Sequence, residues 1–332
     1  MTKIIAEVGL NHMGSLELAK KYIVEIAKTG VWGVKFQIHD PYFESSRDEK
    51  FRVKMSNKYK NRYDYWKKTS FSMNEWKKLY LLSKKKNLKF IVSPFSVHSL
   101  KVIEKIGVDY IKIGSGEIYN KQLIDYLSLK KRNIIASSGM SNWKEIKNIY
   151  NKLKLKSKKN LVILQCTSQY PSKLNDVGLN VISEIKKRFK CSSGLSDHTG
   201  SVFPGITAIS RNEDFLEVHV KLESKFNFPD KATSLNMNSL KFLQDYTNAM
   251  VALNNKVDKN KVYKKFNKMR KLFGRSLALK NKMTKGQIIK KEDLILKKPG
   301  TGLSIKYLNF FIGKKLNKTI VHDELLKKKY VY

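Results

Sequence analysis

The sequence predicts an α/β protein with a (β/α)8 barrel, the TIM-barrel fold, followed by a small separate module. Short β-branched runs alternate eight times with helical patterns over residues 1–255, as such a barrel requires in count and length. Several runs are apolar on both faces, as parallel strands buried between two layers should be. A doubly wound open sheet is the alternative. It normally places a GxGxxG turn after its first strand, whereas residues 9–14 read GLNHMG.

The predicted strands end in polar or glycine residues. They are 4–9, 34–39, 90–95, 110–115, 133–139, 161–167, 191–197 and 215–220. The first helix begins after the N-cap Ser15, carries Glu17 in its first turn and ends at Gly30. The other helical patterns cover about 73–87, 97–106, 119–129, 142–154, 177–188, 201–211 and 236–254.

The chain divides into three predicted regions. A catalytic barrel takes 1–255, a basic linker helix takes 256–274, and a module of short strands with Gly/Pro turns takes 275–332. The long, charged and aromatic segment 40–72 interrupts the alternation. Because long loops in compact domains are usually functional or disordered, we expect it over the carboxyl-terminal mouth of the barrel.

The charge of the 332-residue chain is strongly positive, at +39. Such a charge first suggests nucleic acid or an anionic membrane. However, 59 of the basic residues are Lys and 8 are Arg, whereas phosphate and base recognition favours the bidentate Arg fork. We therefore expect a Lys-rich solvated surface with no specific nucleic acid partner and no membrane partner.

Targeting and redox signals are weak. No apolar run reaches the length of a membrane span, and the amino terminus leads directly into the first strand, with no signal peptide pattern. The two cysteines, Cys166 and Cys191, show neither metal spacing nor a disulfide framework. These observations predict a cytoplasmic protein.

Polar residues gather at the carboxyl-terminal ends of the predicted strands, and no comparable cluster marks their starts. The set includes Glu7, Lys35, Gln37, Lys112, Ser115, Glu117, Ser137, Ser168, Tyr170, Ser196, His198 and His219. Because barrel enzymes build their active sites at this end, the set predicts a catalytic site.

Two histidines end adjacent predicted strands. His198 and His219 could meet on one divalent cation, and imidazoles with water suit Mn, Fe, Co or Zn better than Mg or Ca. Hydrogen-bonded structural histidines are the alternative. Lys35 and Lys112 could hold a phosphate or carboxylate, or form a buried ion pair with Glu7 or Glu117. The residues alone leave both alternatives open.

Seven segments occur in an order that resembles the sialic acid synthase family, which comprises N-acetylneuraminate synthases and the legionaminic and pseudaminic acid synthases. They are Ile5–Gly14, Val34–Gln37, Ser93–Ser96, Tyr110–Glu117, Ser137–Met140, Gln165–Pro171 and Gly194–Thr199. Residues 275–332, with the turn Pro299-Gly-Thr-Gly302, resemble the family's SAF (antifreeze-like) domain.

The resemblance implies a transferase reaction. Phosphoenolpyruvate would condense with the open-chain aldehyde of an N-acyl mannosamine, water would add, and inorganic phosphate would leave. A legionaminic or pseudaminic acid synthase using a 2,4-diacetamido-2,4,6-trideoxy hexose is the alternative. Further alternatives are a phosphoenolpyruvate aldol synthase acting on a sugar phosphate, a Schiff-base aldolase using Lys112, and a basic nucleic-acid-binding protein on a barrel scaffold.

The resemblance also implies roles for individual residues. The implied metal ligands are His198 and His219, with Mn²⁺ usual in the family and Mg²⁺ or Co²⁺ as alternatives. The implied phosphoenolpyruvate set is Lys35, Lys112, Ser115, Ser137, Ser168 and Ser196. The implied sugar set is Gln37, Tyr170, Asp230 and Lys298. Glu7 and Glu117 would order water and substrate, which completes a catalytic set with Lys112 and the two histidines.

The implied assembly is a homodimer in which each SAF domain caps the barrel of the other subunit. The chain departs from the family pattern at Lys298, where many relatives carry an Arg whose planar fork Lys cannot reproduce. It departs again at Ser168, where many relatives carry Asn. The identity of the sugar does not follow from the resemblance.

Overall fold

The computed structural model describes residues 1–51, 59–157, 160–222 and 230–332. Part of the segment 40–72, residues 52–58, therefore lies outside the described residues. The chain forms two compact units, Met1–Asn254 and Asn255–Tyr332.

The first unit is a closed parallel barrel, which confirms the predicted fold class. Its strands are β1 Lys3–Glu7, β2 Gly33–Ile38, β3 Lys89–Pro94, β4 Tyr110–Ile113, β5 Ile134–Ser137, β6 Leu161–Cys166, β7 Ser192–Asp197 and β8 Phe215–Lys221. Each strand pairs with the next, and β8 pairs with β1 to close the barrel. A short strand, β9 (Ser234–Asn236), adds beside β8 with Ser234 opposite His219.

The helices of the first unit surround the barrel. They are α1 Leu16–Thr29, α2 Pro41–Glu44, α3 Arg62–Thr69, α4 Met73–Lys85, α5 Val97–Ile106, α6 Lys121–Ser128, α7 Trp143–Ser157, α8 Leu179–Phe189, α9 Phe203–Ser210 and α10 Met237–Leu253. Short 3-10 turns cover Ser115–Tyr119, Leu174–Asp176 and Lys231–Thr233. The sequence pattern did not predict α2 and α3, because four and eight residues are too few to show a helical period.

The limits of α1 follow from its sequence. The Ser15 hydroxyl accepts from the backbone N–H of Leu18 at 3.2 Å, and Gly30 takes a left-handed conformation with φ 78°. Glycine adopts this conformation without the steric cost that a Cβ would bring, so the helix ends there. Ala19, Ile23 and Ile26 form the buried face.

The inside of the barrel is divided along its axis. Side chains alternate between the two faces of a strand, so Ile5 and Glu7 point the same way. Ile5 joins a separate apolar cluster with Ile91, Ile135, Leu164 and Phe215. Two residues further along their strands, the same inward positions carry polar or sulfur-bearing groups. They are Glu7, Ser93, Ser137, Cys166 and Glu217. Apolar side chains therefore fill the amino-terminal half of the barrel interior, and the polar side chains lie at its carboxyl-terminal mouth.

The second unit begins with two short helices, α11 Lys259–Lys265 and α12 Asn267–Phe273, where the sequence predicted one linker helix. Neither helix has a buried residue, so packing does not hold them in line. Lysines four apart, such as Lys261 and Lys265, also repel each other.

The rest of the second unit is a small mixed module. It contains β10 Ser276–Leu279, β11 Leu294–Lys297 and α13 Leu308–Phe311, with 3-10 turns at Lys291–Asp293, Ile305–Tyr307 and Lys328–Tyr330. The two strands are antiparallel and pack on a core that includes Leu277, Phe311 and Leu326. Over the described ranges of the whole chain, no helix is long and apolar enough to cross a membrane.

Candidate active site

A cavity of about 550 Å³ opens at the carboxyl-terminal mouth of the barrel. Its wall contains most of the predicted site residues, namely Lys35, Gln37, Lys112, Ser115, Glu117, Ser137, Ser168, Tyr170, Ser196, His198, His219 and Asp230. The segment 40–72 contributes Phe43, Glu44, Glu49, Arg62 and Trp66 to the same wall. The described part of that segment therefore lies over the mouth.

Two lysines and two glutamates form a buried charge network at the base of the cavity. Lys35 Nζ lies 2.9 Å from Glu7 Oε2, in an ion pair without the alignment of a hydrogen bond. Lys35 Nζ also lies 3.5 Å from Glu217 Oε1, and Lys112 Nζ lies 3.2 Å from that same oxygen. Ser196 donates to it at 3.0 Å. The four charges balance, which is the condition for burying them.

The surroundings shift the pKa values of these groups in different directions. Burial favours the neutral amine at both lysines. At Lys35 the carboxylates of Glu217 and Glu7 outweigh burial and raise the pKa. At Lys112 burial outweighs Glu217, Lys35 adds repulsion, and the pKa is lowered. Burial acts to raise the pKa of Glu217, but the two lysines outweigh it and hold that pKa well below its usual range.

The two histidines face each other across neighbouring strand ends. The ring centroids of His198 and His219 are 5.2 Å apart, and both residues are buried. His198 Nδ1 lies 2.8 Å from the carbonyl oxygen of Thr167, so that nitrogen donates and Nε2 is the lone-pair nitrogen. Burial, followed by the neighbouring His219, lowers the pKa of His198 to about 3. His198 is therefore a neutral imidazole at physiological pH.

The donor set of the histidine pair fits a divalent cation. His219 Nδ1 is buried and finds no hydrogen-bond partner among the described residues, and the nearest carboxylate oxygen, Asp230 Oδ2, is 3.7 Å away. Within the described ranges no group of three or more His, Cys, Asp or Glu side chains is arranged for a metal. Two imidazoles would thus leave the remaining coordination positions to water and substrate oxygens.

Hydroxyl groups line the wall beside the lysines. Ser115 Oγ and Ser168 Oγ are 2.7 Å apart. Ser137 Oγ is buried, and no described residue hydrogen-bonds to it. An unpaired hydroxyl in a cavity that two ammonium groups also line is suited to a phosphate or carboxylate oxygen.

Gln37, Asp230 and Glu117 occupy other parts of the wall. Gln37 Nε2 donates to Glu7 Oε1 at 2.7 Å, and Glu117 accepts from Asn120 at 2.9 Å. Burial raises the pKa of Glu117. Asp230 approaches Gly9, whose φ is +53° and where a Cβ would lie 2.7 Å from Asp230 Oδ2. The turn after β1 therefore needs glycine at this position.

The comparisons with known proteins agree with this geometry. The NeuB family model matches residues 22–259, and the SAF domain model matches residues 274–331. The chain belongs to the NeuB family. The predicted resemblance is thus confirmed, and this NeuB-family chain is an enzyme of the sialic acid synthase type.

Individual relatives cover nearly the whole NeuB-family chain. An N,N'-diacetyllegionaminic acid synthase of Campylobacter jejuni is 32% identical over 98% of this chain and 99% of its own length. A pseudaminic acid synthase of Helicobacter pylori is 29% identical over 95% and 94%. A crystal structure of an N-acetylneuraminic acid synthetase from Leptospira borgpetersenii, in complex with citrate, is 27% identical. It covers 81% of this chain and 92% of that chain, with a TM-score of 0.69.

Two predicted site residues of this NeuB-family chain do not line the cavity. Glu7 is fully buried beneath the base of the cavity, where it pairs with Lys35 and accepts from Gln37. Lys298 belongs to the second unit, where its Nζ lies 5.3 Å from the centroid of the Phe273 ring.

Glu217 is a cavity-lining residue that was not predicted from the sequence. The sequence carried a signal for it, because Glu217 interrupts the apolar start of β8 and lies two positions before His219, on the same face. His39 and Glu44 also line the cavity and were not predicted.

Proposed function

We propose that this enzyme condenses phosphoenolpyruvate with the open-chain aldehyde of an N-acyl mannosamine, releasing phosphate and a nonulosonic acid. One observation carries the proposal. A single cavity brings two facing imidazoles together with two buried lysines, so a site for a metal-bound carbonyl adjoins a site for an anion.

Lys35 and Lys112 would hold the phosphate and carboxylate groups of phosphoenolpyruvate. The hydroxyl groups of the serine set would complete this site; the set is Ser115, Ser137, Ser168 and Ser196. Glu7 and Glu217 already balance the charges of the two lysines, so the lysine side chains are held in position before substrate binds.

His198 and His219 would hold the divalent cation, with Mn²⁺ proposed and Mg²⁺ or Co²⁺ as alternatives. When bound, such a cation supplies Lewis-acid polarisation of the aldehyde oxygen. The Thr167 carbonyl keeps His198 in one tautomer with Nε2 available. Glu117, whose pKa burial raises, would position the water that adds during the reaction. Glu7, which pairs with Lys35, would help to position this water.

Gln37, Tyr170 and Asp230 would contact the sugar. Tyr170 stacks obliquely on His198, with ring centroids 4.2 Å apart, which places it beside the metal ligands. The alternative acceptor is a 2,4-diacetamido-2,4,6-trideoxy hexose. The high coverage of the legionaminic acid synthase of Campylobacter jejuni favours this alternative.

The assembly we propose is a homodimer in which each SAF domain caps the barrel of the partner subunit. The proposed regions are a catalytic barrel at 1–255, a linker at 256–274 and the SAF domain at 275–332. Exposed apolar residues on the two linker helices, among them Tyr263 and Leu272, support a partner contact in this region. Lys298 would then reach the sugar of the other subunit.

A phosphate-release assay tests the function. The metal-loaded protein is given phosphoenolpyruvate with N-acetylmannosamine, with its 6-phosphate, or with 2,4-diacetamido-2,4,6-trideoxy hexoses. Release should require both a divalent cation and one unphosphorylated N-acyl sugar. Release that survives a chelator, together with borohydride trapping of substrate on a lysine, would instead indicate a Schiff-base aldolase.

A further inference from the structure

His39 is a buried imidazole in the cavity wall that the proposed reaction does not use. It directly follows β2, and its ring lies between two aromatic rings. The Trp66 ring centroid is 3.6 Å away at an interplanar angle of 8°, and the Phe95 centroid is 4.3 Å away at 18°. The stack leaves the two ring nitrogens as the polar atoms to be satisfied.

Both ring nitrogens of His39 face oxygen atoms. Nδ1 lies 2.6 Å from Glu44 Oε1, and Nε2 lies 3.3 Å from Gln37 Oε1. The other end of the Gln37 amide donates to Glu7 Oε1 at 2.7 Å. A continuous chain of contacts therefore runs from Glu44 through His39 and Gln37 to Glu7.

Glu7, at one end of this series of contacts, determines which group donates and which accepts in each hydrogen bond. The second carboxylate oxygen of Glu7 pairs with the Lys35 ammonium at 2.9 Å, so Glu7 is ionised and can only accept hydrogen bonds. Gln37 must then direct its NH₂ group to Glu7 and its carbonyl oxygen to His39. That carbonyl accepts, so His39 Nε2 must carry a proton.

Glu44, at the other end of this series of contacts, also requires a proton on His39. Glu44 accepts from the backbone N–H of Asp40 at 3.1 Å through Oε2, and its Oε1 faces His39 Nδ1. Because a glutamic acid is ordinarily a stronger acid than an imidazolium, the proton between Oε1 and Nδ1 lies on the nitrogen. An imidazole protonated at both nitrogens is a cation. We propose that His39 is a buried imidazolium that orients Gln37 and, through it, the Glu7 carboxylate.

The surroundings of His39 suit a cation. Glu44, with a side chain 6% exposed, supplies the counter-charge, and two aromatic faces stabilise a cation between them. Two charged neighbours, Asp40 and Arg62, are already paired, and the titratable neighbour His12, whose pKa burial lowers to about 3, adds no competing charge. Asp40 pairs with His98 at 2.8 Å, and Arg62, which lies over Trp66, pairs with Glu49 at 2.8 Å.

The arrangement has a consequence for ligand binding. The Gln37 carbonyl is occupied by His39 and one of its N–H groups by Glu7. The polar group that Gln37 can offer to the cavity is therefore its second N–H, a donor. Gln37 should recognise an acceptor oxygen of the sugar. This step, together with a positioning role for His39 in turnover, rests on the proposed function.

The charge of His39 can be measured without any substrate. The full-length chain is labelled with ¹⁵N-histidine, and the ring nitrogens are observed by long-range ¹H–¹⁵N correlation at about pH 8, where free histidine is mostly neutral. The His39 signals are those lost in His39→Gln. Both ring nitrogens should resonate as protonated. A neutral pattern in the unmodified chain overturns the proposal.

Two matched variants locate the source of the charge. Glu44→Gln removes the counter-charge and should convert His39 to the neutral pattern. Glu49→Gln removes the nearby carboxylate that pairs with Arg62, and it should leave the His39 signals unchanged. An equal response to both variants would contradict a specific His39–Glu44 pair.

Kinetics test the positioning role. His39→Phe keeps an aromatic ring between Trp66 and Phe95 but cannot donate to Gln37, so kcat should fall about tenfold while KM for phosphoenolpyruvate changes little. His39→Gln restores a donor and should recover part of kcat. Equal losses in the two variants would refute positioning through Gln37. If the unmodified chain condenses no sugar, the proposed function fails, whereas the nitrogen spectrum still decides the charge of His39.

Discussion

The Glu217 carboxylate lies 3.2 Å from the Lys112 ammonium inside the barrel mouth, where both side chains are only 3% exposed. The same oxygen contacts Lys35 and Ser196. Glu217 is therefore the acceptor that three neighbouring donors share, and removing its charge would leave two ammonium groups close together in a buried site.

This arrangement predicts a large stability loss in Glu217→Gln. Removing one partner of a buried ion pair typically costs about 3–5 kcal/mol, because the remaining charge stays buried and uncompensated. The free energy of unfolding from urea titration should fall by about that amount. The control is Glu184→Gln, which breaks the exposed Arg188–Glu184 pair and should change stability by less than about 1 kcal/mol. Similar effects in both variants would show that the Glu217 network does not stabilise the barrel.

The histidine pair predicts the effect of His198→Ala. The variant should no longer retain Mn²⁺ after dialysis, as measured by elemental analysis. Its rate of phosphate release should fall at least about 100-fold, because mutating even a residue that only hydrogen-bonds to a metal ligand can cost up to about that factor. The exposed His322 in the second unit provides the control, His322→Ala, which should retain both properties. An unchanged rate in His198→Ala would show that the metal assignment is wrong.

Two buried serines predict opposite phenotypes. Ser137 Oγ has no partner among the described residues and lines the cavity, so Ser137→Ala should raise KM for phosphoenolpyruvate about tenfold with little change in stability. Ser193 Oγ donates to the Ile163 carbonyl beneath the site. Ser193→Ala should therefore lower the unfolding free energy by about 1 kcal/mol and leave KM unchanged. The reverse pattern would mean that Ser137 is structural.

His12 predicts a pH dependence of stability. Burial, followed by repulsion from His39, lowers the pKa of His12 to about 3 from its ordinary value of 6.5. Between those two values the unfolded chain binds a proton that the folded chain does not, so stability contributed by neutral His12 is present above about pH 6.5 and is lost as the pH falls. The contribution to the slope approaches about 1.4 kcal/mol per pH unit.

The His12 test compares unfolding free energies at several pH values between about 4 and 7. His12→Asn keeps an acceptor for the Gly14 N–H, which donates to His12 Nδ1 at 3.0 Å, but it cannot titrate. In this variant the unfolding free energy should change less steeply with pH, by the amount that corresponds to about one bound proton. An unchanged slope would show that His12 is not the group responsible.

Much of the fold and the site could be predicted from local sequence. The alternation of β-branched runs with helical patterns predicts the barrel, because strand and helix periods are properties of neighbouring residues. Polar residues at inward positions such as Glu7 and His219 indicate the active end of the barrel, because inward side chains repeat every second residue along a strand. The helices α2 and α3 of the segment 40–72 were not predicted, because they are too short to show a helical period of apolar residues.

The partners of the polar residues were decided by the tertiary structure. The sequence offered Glu7 and Glu117 as partners for the two lysines. Lys112 instead pairs with Glu217, 105 positions away, because barrel closure brings β8 to the inner wall that β4 faces. His39 likewise contacts Phe95, which follows β3, and Trp66, which lies in α3.

The sequence by itself thus determined the barrel, the order of its strands and the end that carries chemistry. These depend on the local spacing of apolar, polar and turn residues. Only the tertiary structure decided which charges compensate each other, which imidazole nitrogens remain available and how Gln37 is oriented. Those properties depend on distances of about 3 Å between groups far apart in sequence, at which a hydrogen bond forms or fails.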